Sequence, residues 1–154
     1  ITAQGEPLDG DTFAWATDTF DVPVINAYGQ TETGSTWTYP VYGGAEPLKA
    51  GSAGTAAPPG HTFAIVDDDN NPVPPGVKGN LVLTSPFPTL CRTVWDDHQR
   101  YLDTYFATFP PGSCPPTNDE AVLDRDGHIW VLGRATTSST SPGTASRRWR
   151  SRPS

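Results

Sequence analysis

Residues 22–34 read VPVINAYGQTETG and join an apolar segment to a polar one. The apolar segment, Val22 to Ala27, is rich in β-branched residues, which is typical of a strand covered on both faces. The polar segment, YGQTETG at 28–34, places hydroxyls, an amide and one carboxylate between two glycines. Because the ligands of α/β sheets collect beyond the carboxyl ends of strands, this order predicts a loop that binds a phosphorylated ligand.

The segments on either side of this stretch predict a mixed α/β fold. Residues 9–20 predict a short amphipathic helix, in which Asp9 or Asp11 is the N-cap. The face that this helix is expected to bury consists of Phe13, Ala16, Thr17 and Phe20. Residues 37–59 show no hydrophobic period and predict a loop.

The C-terminal half predicts two hairpins and a second helix. Residues 62–67 and 80–85, TFAIVD and NLVLTS, predict two strands joined by a proline-stiffened turn, as a hairpin or a small barrel element. Residues 96–106, DDHQRYLDTYF, predict a helix that begins at Asp96 or Asp97. Its buried residues are expected to be Tyr101, Leu102, Tyr105 and Phe106. Residues 120–134 alternate with period two around Asp126-Gly127 and predict the second hairpin.

Composition limits the class of protein. The 154 residues include 17 prolines and 15 glycines, which favours short strands and turns over long helices. All 17 acidic residues lie before residue 135, so the body repels nucleic acid, and no nucleic-acid partner is expected. Neither a signal peptide nor a run long enough to span a membrane is visible. Two separated cysteines, Cys91 and Cys114, indicate neither a disulfide framework nor metal spacing, and the cytoplasm is the expected location.

Six segments follow one another along the chain: GEPL at 5–8, YGQTETG at 28–34, LKAGSAGTAAPPG at 48–60, VPPGVKGNLVLTSPFP at 73–88, RTVWDDHQRYLDTYFATF at 92–109 and TNDEAVLDRDGHIWVLGR at 117–134. In this order they resemble the AMP-binding, adenylate-forming enzymes, and most of all the acetyl-CoA and short-chain acyl-CoA synthetases. The resemblance covers nearly all of residues 1–134 and predicts a partial AMP-binding domain over that range.

The resemblance implies a fold and a reaction. The fold is the C-terminal part of the family's large domain, with part of a sheet and a small β-barrel-like subdomain. The reaction activates acetate or a short- or medium-chain fatty acid with ATP and Mg²⁺ to an acyl-adenylate, and then transfers the acyl group to CoA. The implied cofactors and partners are therefore ATP or AMP, Mg²⁺, CoA as co-substrate and a small carboxylic acid.

The resemblance also implies which residues form the site. Asp119 is expected to hold both ribose hydroxyls, because an ionised carboxylate only accepts hydrogen bonds. Thr31 and Glu32 are the expected catalytic residues: Thr31, like Thr33, offers a hydroxyl donor, and Glu32 is the expected Mg²⁺ ligand. The full set of expected nucleotide-binding residues is Gly5, Glu6, Pro7, Asn26, Ala27, Tyr28, Gly29, Gln30, Thr31, Asp119 and Arg134.

The resemblance assigns Gly29 to the acyl pocket, where the residue at this place limits the size of the acid. Acetate-specific members of the family usually carry a tryptophan at this place, so the resemblance implies an open pocket here. Each buried methylene contributes about 0.8 kcal/mol, which favours propionate, butyrate or a longer acid over acetate. Against this, residues 92–109 are closest to the acetyl-CoA synthetase pattern, and the identity of the acid stays open.

The chain departs from the family in two places. Asn118 replaces the glycine that precedes the ribose-binding acid, and PPGSCPP at 110–116 replaces a shorter link. After Arg134 the family continues with an acidic hinge and a segment like DDVINVSGHRL, which opens a small mobile domain carrying a lysine. This chain reads ATTSSTSPGTASRRWRSRPS instead, and with suitable codons a frame shifted by one base encodes DDVINVSGHRLAAVEIEAV.

We therefore expect residues 135–154 to be a disordered, frameshifted tail. The hinge acid, the lysine and the family's Gly/Ser/Thr-rich phosphate loop are not found in the sequence. Because catalysis in the family needs the small domain to rotate over the site, the chain alone is expected not to turn over. The alternative is a non-catalytic, β-rich remnant or interaction domain.

Overall fold

The computed structural model describes residues 1–39, 48–55, 61–106 and 116–135. Within these ranges it has eight strands and two α-helices, and a short 3₁₀ turn, Thr31–Thr33, joins the third and fourth strands. The strands are β1 Thr2–Ala3, β2 Ile25–Asn26, β3 Tyr28–Gln30, β4 Ser35–Thr38, β5 Phe63–Val66, β6 Lys78–Leu83, β7 Pro116–Leu123 and β8 Ile129–Arg134; the helices are α1 Gly10–Phe20 and α2 His98–Tyr105. The mixed α/β class predicted from the sequence is confirmed.

The N-terminal part is a small β-α-β unit. Strands β1 and β2 pair in parallel, with Thr2 opposite Ile25, and α1 connects them. Helix α1 begins where the Asp9 carboxylate accepts hydrogen bonds from the amides of Asp11 and Thr12, so the predicted Asp9 cap is confirmed. The helix buries Ala16, but Phe20 is 52% exposed, contrary to the prediction.

The strand predicted over residues 22–27 is shorter than expected. Only Ile25–Asn26 form β2, although Val24 to Ala27 are all buried. Val22 is exposed, and Pro23 has no amide hydrogen to donate to a neighbouring strand, which explains the later start.

The polar stretch 28–34 and its continuation form a hairpin, so the loop predicted for them is wrong. Strand β3 pairs antiparallel with β4, and Gln30 lies opposite Ser35. The hairpin forms because Trp37, on β4, is completely buried and anchors it to the core. The predicted loop over residues 37–59 therefore begins inside a strand, and its residues 40–47 and 56–60 lie outside the described residues.

Four strands form an antiparallel sheet in the order β5-β6-β7-β8. Both predicted hairpins are present: Phe63 lies opposite Leu83, and Leu123 lies opposite Ile129 across the turn at Asp126-Gly127. Among the described strands, no pairing joins β5 to β8, which is the contact that would close the sheet into a barrel.

A single cluster of buried residues ties the β3–β4 hairpin to this sheet. The ring of Trp37 lies 5.9 Å from that of Tyr28 and 6.2 Å from that of Phe63, measured between centroids. The buried members of the cluster are Trp37, Ala53, Ile65, Leu81, Leu83, Phe87, Ala121 and Ile129. This packing, together with hydrogen bonds from Tyr28 and Gln30 to β7, sets β3 beside β7 and so determines where the cleft described below lies.

Helix α2 packs beside the 3₁₀ turn. It begins at Asp97, whose carboxylate accepts from the amide of Arg100, so the second of the two predicted caps is the one used. Tyr101 is buried as predicted, whereas Leu102 is exposed and that part of the prediction is wrong. The link at 110–115 and the tail from residue 136 onward lie outside the described residues. Neither described helix has the length and apolar character needed to cross a membrane.

Candidate functional site

A cleft of about 430 Å³ lies where the β2–β3 junction, the 3₁₀ turn and the β7–β8 hairpin meet. Every residue of the nucleotide site predicted from the sequence lines this cleft, and Glu32 lines it as well. Three further residues line it that the sequence reasoning missed: Ala53, Val131 and Gly133. No local signal distinguished them, because Val131 and Gly133 belong to the regular alternation of β8. The structure brings the predicted residues together, and their individual roles remain predictions.

Asp119 is the buried carboxylate of the cleft. It lies on β7 opposite Arg134 on β8, and it is only 7% exposed. Its Oδ2 accepts hydrogen bonds from Tyr28 Oη at 2.6 Å and from Gln30 Nε2 at 2.5 Å. Its Oδ1 lies 3.6 Å from Nε of Arg134. A buried carboxylate is tolerated only when it is paired in this way, so Asp119 is held as an acceptor with Oδ1 on the side of Arg134.

Tyr28 and Gln30 hold Asp119 from the β3 side. Burial, reinforced by the hydrogen bond to Asp119, raises the pKa of Tyr28 far above its usual range, so Tyr28 remains a donor. Gln30 Nε2 also donates to the carbonyl oxygen of Thr117 at 2.7 Å. The side-chain amide of Gln30 is thus directed at β7 by two contacts.

The 3₁₀ turn separates the roles of its two threonines. Thr33 is 1% exposed, and its Oγ1 accepts from the amide of Gln30 and lies 2.7 Å from the carbonyl oxygen of the same residue. Its hydroxyl therefore stabilises the turn, and the expectation that it serves as a donor to a ligand is not supported by this geometry. Thr31 is exposed and lines the cleft.

Gly34 closes the turn in a conformation that requires glycine. Its φ is +66°, and a Cβ there would lie 2.5 Å from the carbonyl oxygen of Thr89. Thr89 Oγ1 donates to the carbonyl oxygen of Thr33 at 2.7 Å, which draws the two segments together.

Glu32 is a further carboxylate of the cleft, which Glu6 lines as well. Tyr105 Oη donates to its Oε1 at 2.6 Å, and the amide of Cys91 donates to its backbone carbonyl at 2.7 Å. The hydrogen bond from Tyr105 lowers the pKa of Glu32, while partial burial and the nearby carboxylate raise the pKa of Tyr105 to about 12. Glu32 is therefore ionised and Tyr105 protonated at neutral pH.

This arrangement fits a magnesium ion that is shared with a phosphorylated ligand. Mg²⁺ typically binds one or two carboxylates together with water and phosphate oxygens. Within the described ranges, no three His, Cys, Asp or Glu side chains are grouped as an all-protein metal site would need. Glu32, an ionised carboxylate beside the exposed Thr31, fits a site in which one or two carboxylates share the ion with water and phosphate oxygens.

Asn118 adopts the backbone conformation that a glycine would favour. Its φ is +59°, in the left-handed region that asparagine enters more readily than most residues. Its carbonyl oxygen accepts from the amide of Ala135 at 2.9 Å. The departure from the family at this residue therefore leaves Asp119 directed into the cleft.

Gly29 has a structural reason of its own to be glycine. A Cβ at this residue would lie 2.7 Å from the carbonyl oxygen of Ser35, because β4 pairs closely with β3. A larger side chain at this place requires β4 to move. The open acyl pocket inferred from the missing side chain stays a prediction, since the space directly beyond Gly29 holds the backbone of β4.

Comparisons with known proteins identify the family. The family model described as "AMP-binding enzyme" matches residues 1–93. The chain is 37% identical over 147 residues to an acetyl-coenzyme A synthetase of Pyrobaculum arsenaticum, covering 88% of this chain and 20% of that protein. It is 40% identical over 133 residues to an acetyl-coenzyme A synthetase of Streptomyces coelicolor, covering 84% of this chain and 20% of that protein.

A solved structure is similar as well. The crystal structure of the anthranilate CoA ligase AuaEII in complex with anthranoyl-AMP superposes with a TM-score of 0.72 and 26% identity, over 86% of this chain and 24% of that one. The chain belongs to the family of AMP-binding enzymes. It spans about a fifth of the length of the curated relatives it matches.

Proposed function

We propose that the cleft binds the AMP part of ATP or of an acyl-adenylate, as the nucleotide site of an acyl-CoA synthetase that activates acetate or a short- or medium-chain acid and transfers it to CoA. The observation that supports this proposal is the convergence of Gly5–Pro7, Asn26–Glu32, Asp119 and Arg134 on one cleft. The curated relatives are acetyl-coenzyme A synthetases, and the similar solved structure holds an acyl-adenylate, anthranoyl-AMP.

The chemistry of each side chain fits its part in this proposal. Asp119 accepts a ribose hydroxyl through Oδ1, which Arg134 approaches from the open side. The exposed Thr31 hydroxyl donates to a phosphate oxygen at the start of the 3₁₀ turn. Glu32 would hold Mg²⁺, and when bound the ion neutralises the charge on phosphate oxygens that builds up during in-line attack on the α-phosphorus.

The chain lacks a lysine for the reacting carboxylate. Its two lysines are Lys49 and Lys78. Lys49 Nζ is bound by the carboxylates of Asp124 and Asp126, and Lys78 Nζ lies 2.7 Å from Glu120 Oε1. Neither lysine lines the cleft. We therefore propose that the chain binds nucleotide but does not complete the reaction alone.

A cytoplasmic location belongs to the same proposal. Cys91 is a free thiol, which suits a reducing compartment.

Nucleotide binding is the direct test. We expect the purified 154-residue chain to bind a fluorescent AMP analogue, and Asp119→Ala to abolish that binding, because it removes the only buried carboxylate among the described cleft residues. Asp69→Ala is the matched control: it makes the same change in charge on an exposed turn between β5 and β6 and should bind like the wild type.

The outcomes separate the two candidate functions. Binding by the wild type and by Asp69→Ala, but not by Asp119→Ala, supports the nucleotide site. No binding by the wild type favours the non-catalytic, β-rich remnant or interaction domain. The same preparation, given ATP, acetate and CoA, is expected to form no acyl-CoA, and measurable synthesis would contradict the inactive-fragment part of the proposal.

A further inference from the structure

Glu32 is held from behind by a tyrosine of α2. We propose that Tyr105 is a positioning residue, whose hydroxyl fixes the Glu32 carboxylate in the orientation that a divalent cation needs at the cleft. This inference rests on the proposed function and goes one step further, because Tyr105 does not line the cleft and its hydroxyl reaches the site through the hydrogen bond to Glu32.

The contact lies where two cavities meet. Glu32 lines both the nucleotide cleft and a much smaller cavity beneath α2, whereas Tyr105 lines only the smaller one. Tyr105 Oη donates to Glu32 Oε1 at 2.6 Å across this boundary. The amide of Glu32 itself and the charge of Arg134 also favour the ionised carboxylate. The protein thus holds Oε1 from behind, while the carboxylate still lines the cleft.

The backbone of Glu32 is held separately from its carboxylate. The amide of Cys91 donates to the carbonyl oxygen of Glu32 at 2.7 Å, and Tyr101 Oη reaches only the carbonyl oxygen of Cys91, at 2.6 Å. The Cys91 amide fixes the backbone without needing the Tyr101 hydroxyl, whereas Tyr105 holds the carboxylate. A glutamate has three rotatable side-chain bonds, so holding it in advance removes freedom that metal binding would otherwise have to restrict.

A tyrosine suits this task because it is a neutral donor. A lysine or arginine in its place would neutralise the carboxylate and compete with the cation. The hydroxyl orients Glu32 while leaving its negative charge available, as partners of metal-binding carboxylates commonly do.

The test compares two tyrosines of the same helix. Tyr105→Phe removes the hydroxyl that donates to the Glu32 carboxylate. Tyr101→Phe removes a hydroxyl that donates only to a backbone carbonyl, that of Cys91. Each variant, the wild type and Glu32→Gln are saturated with AMP and titrated with Mn²⁺, and free Mn²⁺ is measured by electron paramagnetic resonance. AMP affinity is measured separately in EDTA, and folding by circular dichroism.

We expect Tyr105→Phe to weaken Mn²⁺ binding about 10-fold, at the lower end of the usual effect of such partners. Tyr101→Phe should stay within about two-fold of the wild type, and Glu32→Gln should lose the Mn²⁺ site. AMP affinity in EDTA should not change in Tyr105→Phe or Tyr101→Phe.

Several results would overturn the inference. They are unchanged Mn²⁺ binding in Tyr105→Phe, an equal loss in Tyr101→Phe, or a parallel loss of AMP affinity in EDTA, which would mark Tyr105 as merely structural. If AMP binds and Glu32→Gln still binds Mn²⁺, the inference fails while the nucleotide site stands. If the wild type binds no AMP, the proposed function fails and the inference with it.

Discussion

At the scale of single residues, the site depends on side chains that are tied to one another before any ligand enters. Asp119 is held by Tyr28 and Gln30, and Glu32 by Tyr105. The sequence motifs placed Asp119 and Glu32 in one site through the family resemblance. They gave no sign of the tyrosine partner, because Tyr105 lies 73 residues from Glu32 along the chain and its helical spacing indicates only a buried face.

Asn118 supports a prediction at this scale. Its left-handed backbone costs a β-branched residue about 1–2 kcal/mol, so Asn118→Val should lower the free energy of unfolding by about that amount. Asn118→Gly should change it by less than about 1 kcal/mol, since glycine relieves the conformation but gains freedom in the unfolded chain. Urea denaturation followed by circular dichroism measures both. Equal stability of the valine and glycine variants would contradict the assigned backbone conformation.

At the scale of elements, local signals predicted most of the structure. The Asp126-Gly127 turn and the strands of the four-stranded sheet follow from turn chemistry and alternation, and both helix caps are aspartates named from the sequence. The β3–β4 hairpin was not predicted, because its polar residues show no clear alternation. Tertiary packing stabilises this hairpin, because the ring of Trp37 packs against Phe63 on β5 and against Phe87.

Trp37 is therefore expected to hold the hairpin in place. Trp37→Ala should lower the free energy of unfolding by about 3–5 kcal/mol, as truncation of a buried aromatic usually does. It should also weaken AMP binding, since Tyr28 and Gln30 lie on the same hairpin. Trp95→Ala is the control: its side chain is 93% exposed, and its loss should cost less than about 0.5 kcal/mol. Chemical denaturation compares the two, and similar losses would show that the burial of Trp37 is not what stabilises the hairpin.

At the scale of the whole molecule, two parts of the chain differ in composition. Residues 1–134 carry all the acidic groups and every described element, whereas residues 135–154 contain no acidic residue and are rich in serine and arginine. The family model matches residues 1–93, within the first part, and the similar solved structure covers 86% of the chain. The tail is the subject of the frameshift hypothesis, which concerns the gene.

The frameshift hypothesis makes a definite prediction about that gene. Independent sequencing of DNA and transcript across codons 134–137 should show that an adjacent frame encodes DDVINVSGHRLAAVEIEAV in place of residues 136–154. The reason is that random codons rarely encode, in a second frame, a segment that matches the family's acidic hinge region. A gene that is intact in its present frame, with codons that give an unrelated sequence when shifted, would dispose of the hypothesis.

The reason why Gly34 must be glycine affects how its conservation among relatives is interpreted. Gly34 is required by a carbonyl oxygen of a distant segment, 2.5 Å from where its Cβ would stand, and not by anything in the cleft. Purifying selection for folding alone would keep that glycine in a descendant that had lost every substrate. Conservation of Gly34 among descendants would therefore reflect folding alone, whereas conservation of Thr31 and Glu32 would reflect retained chemistry.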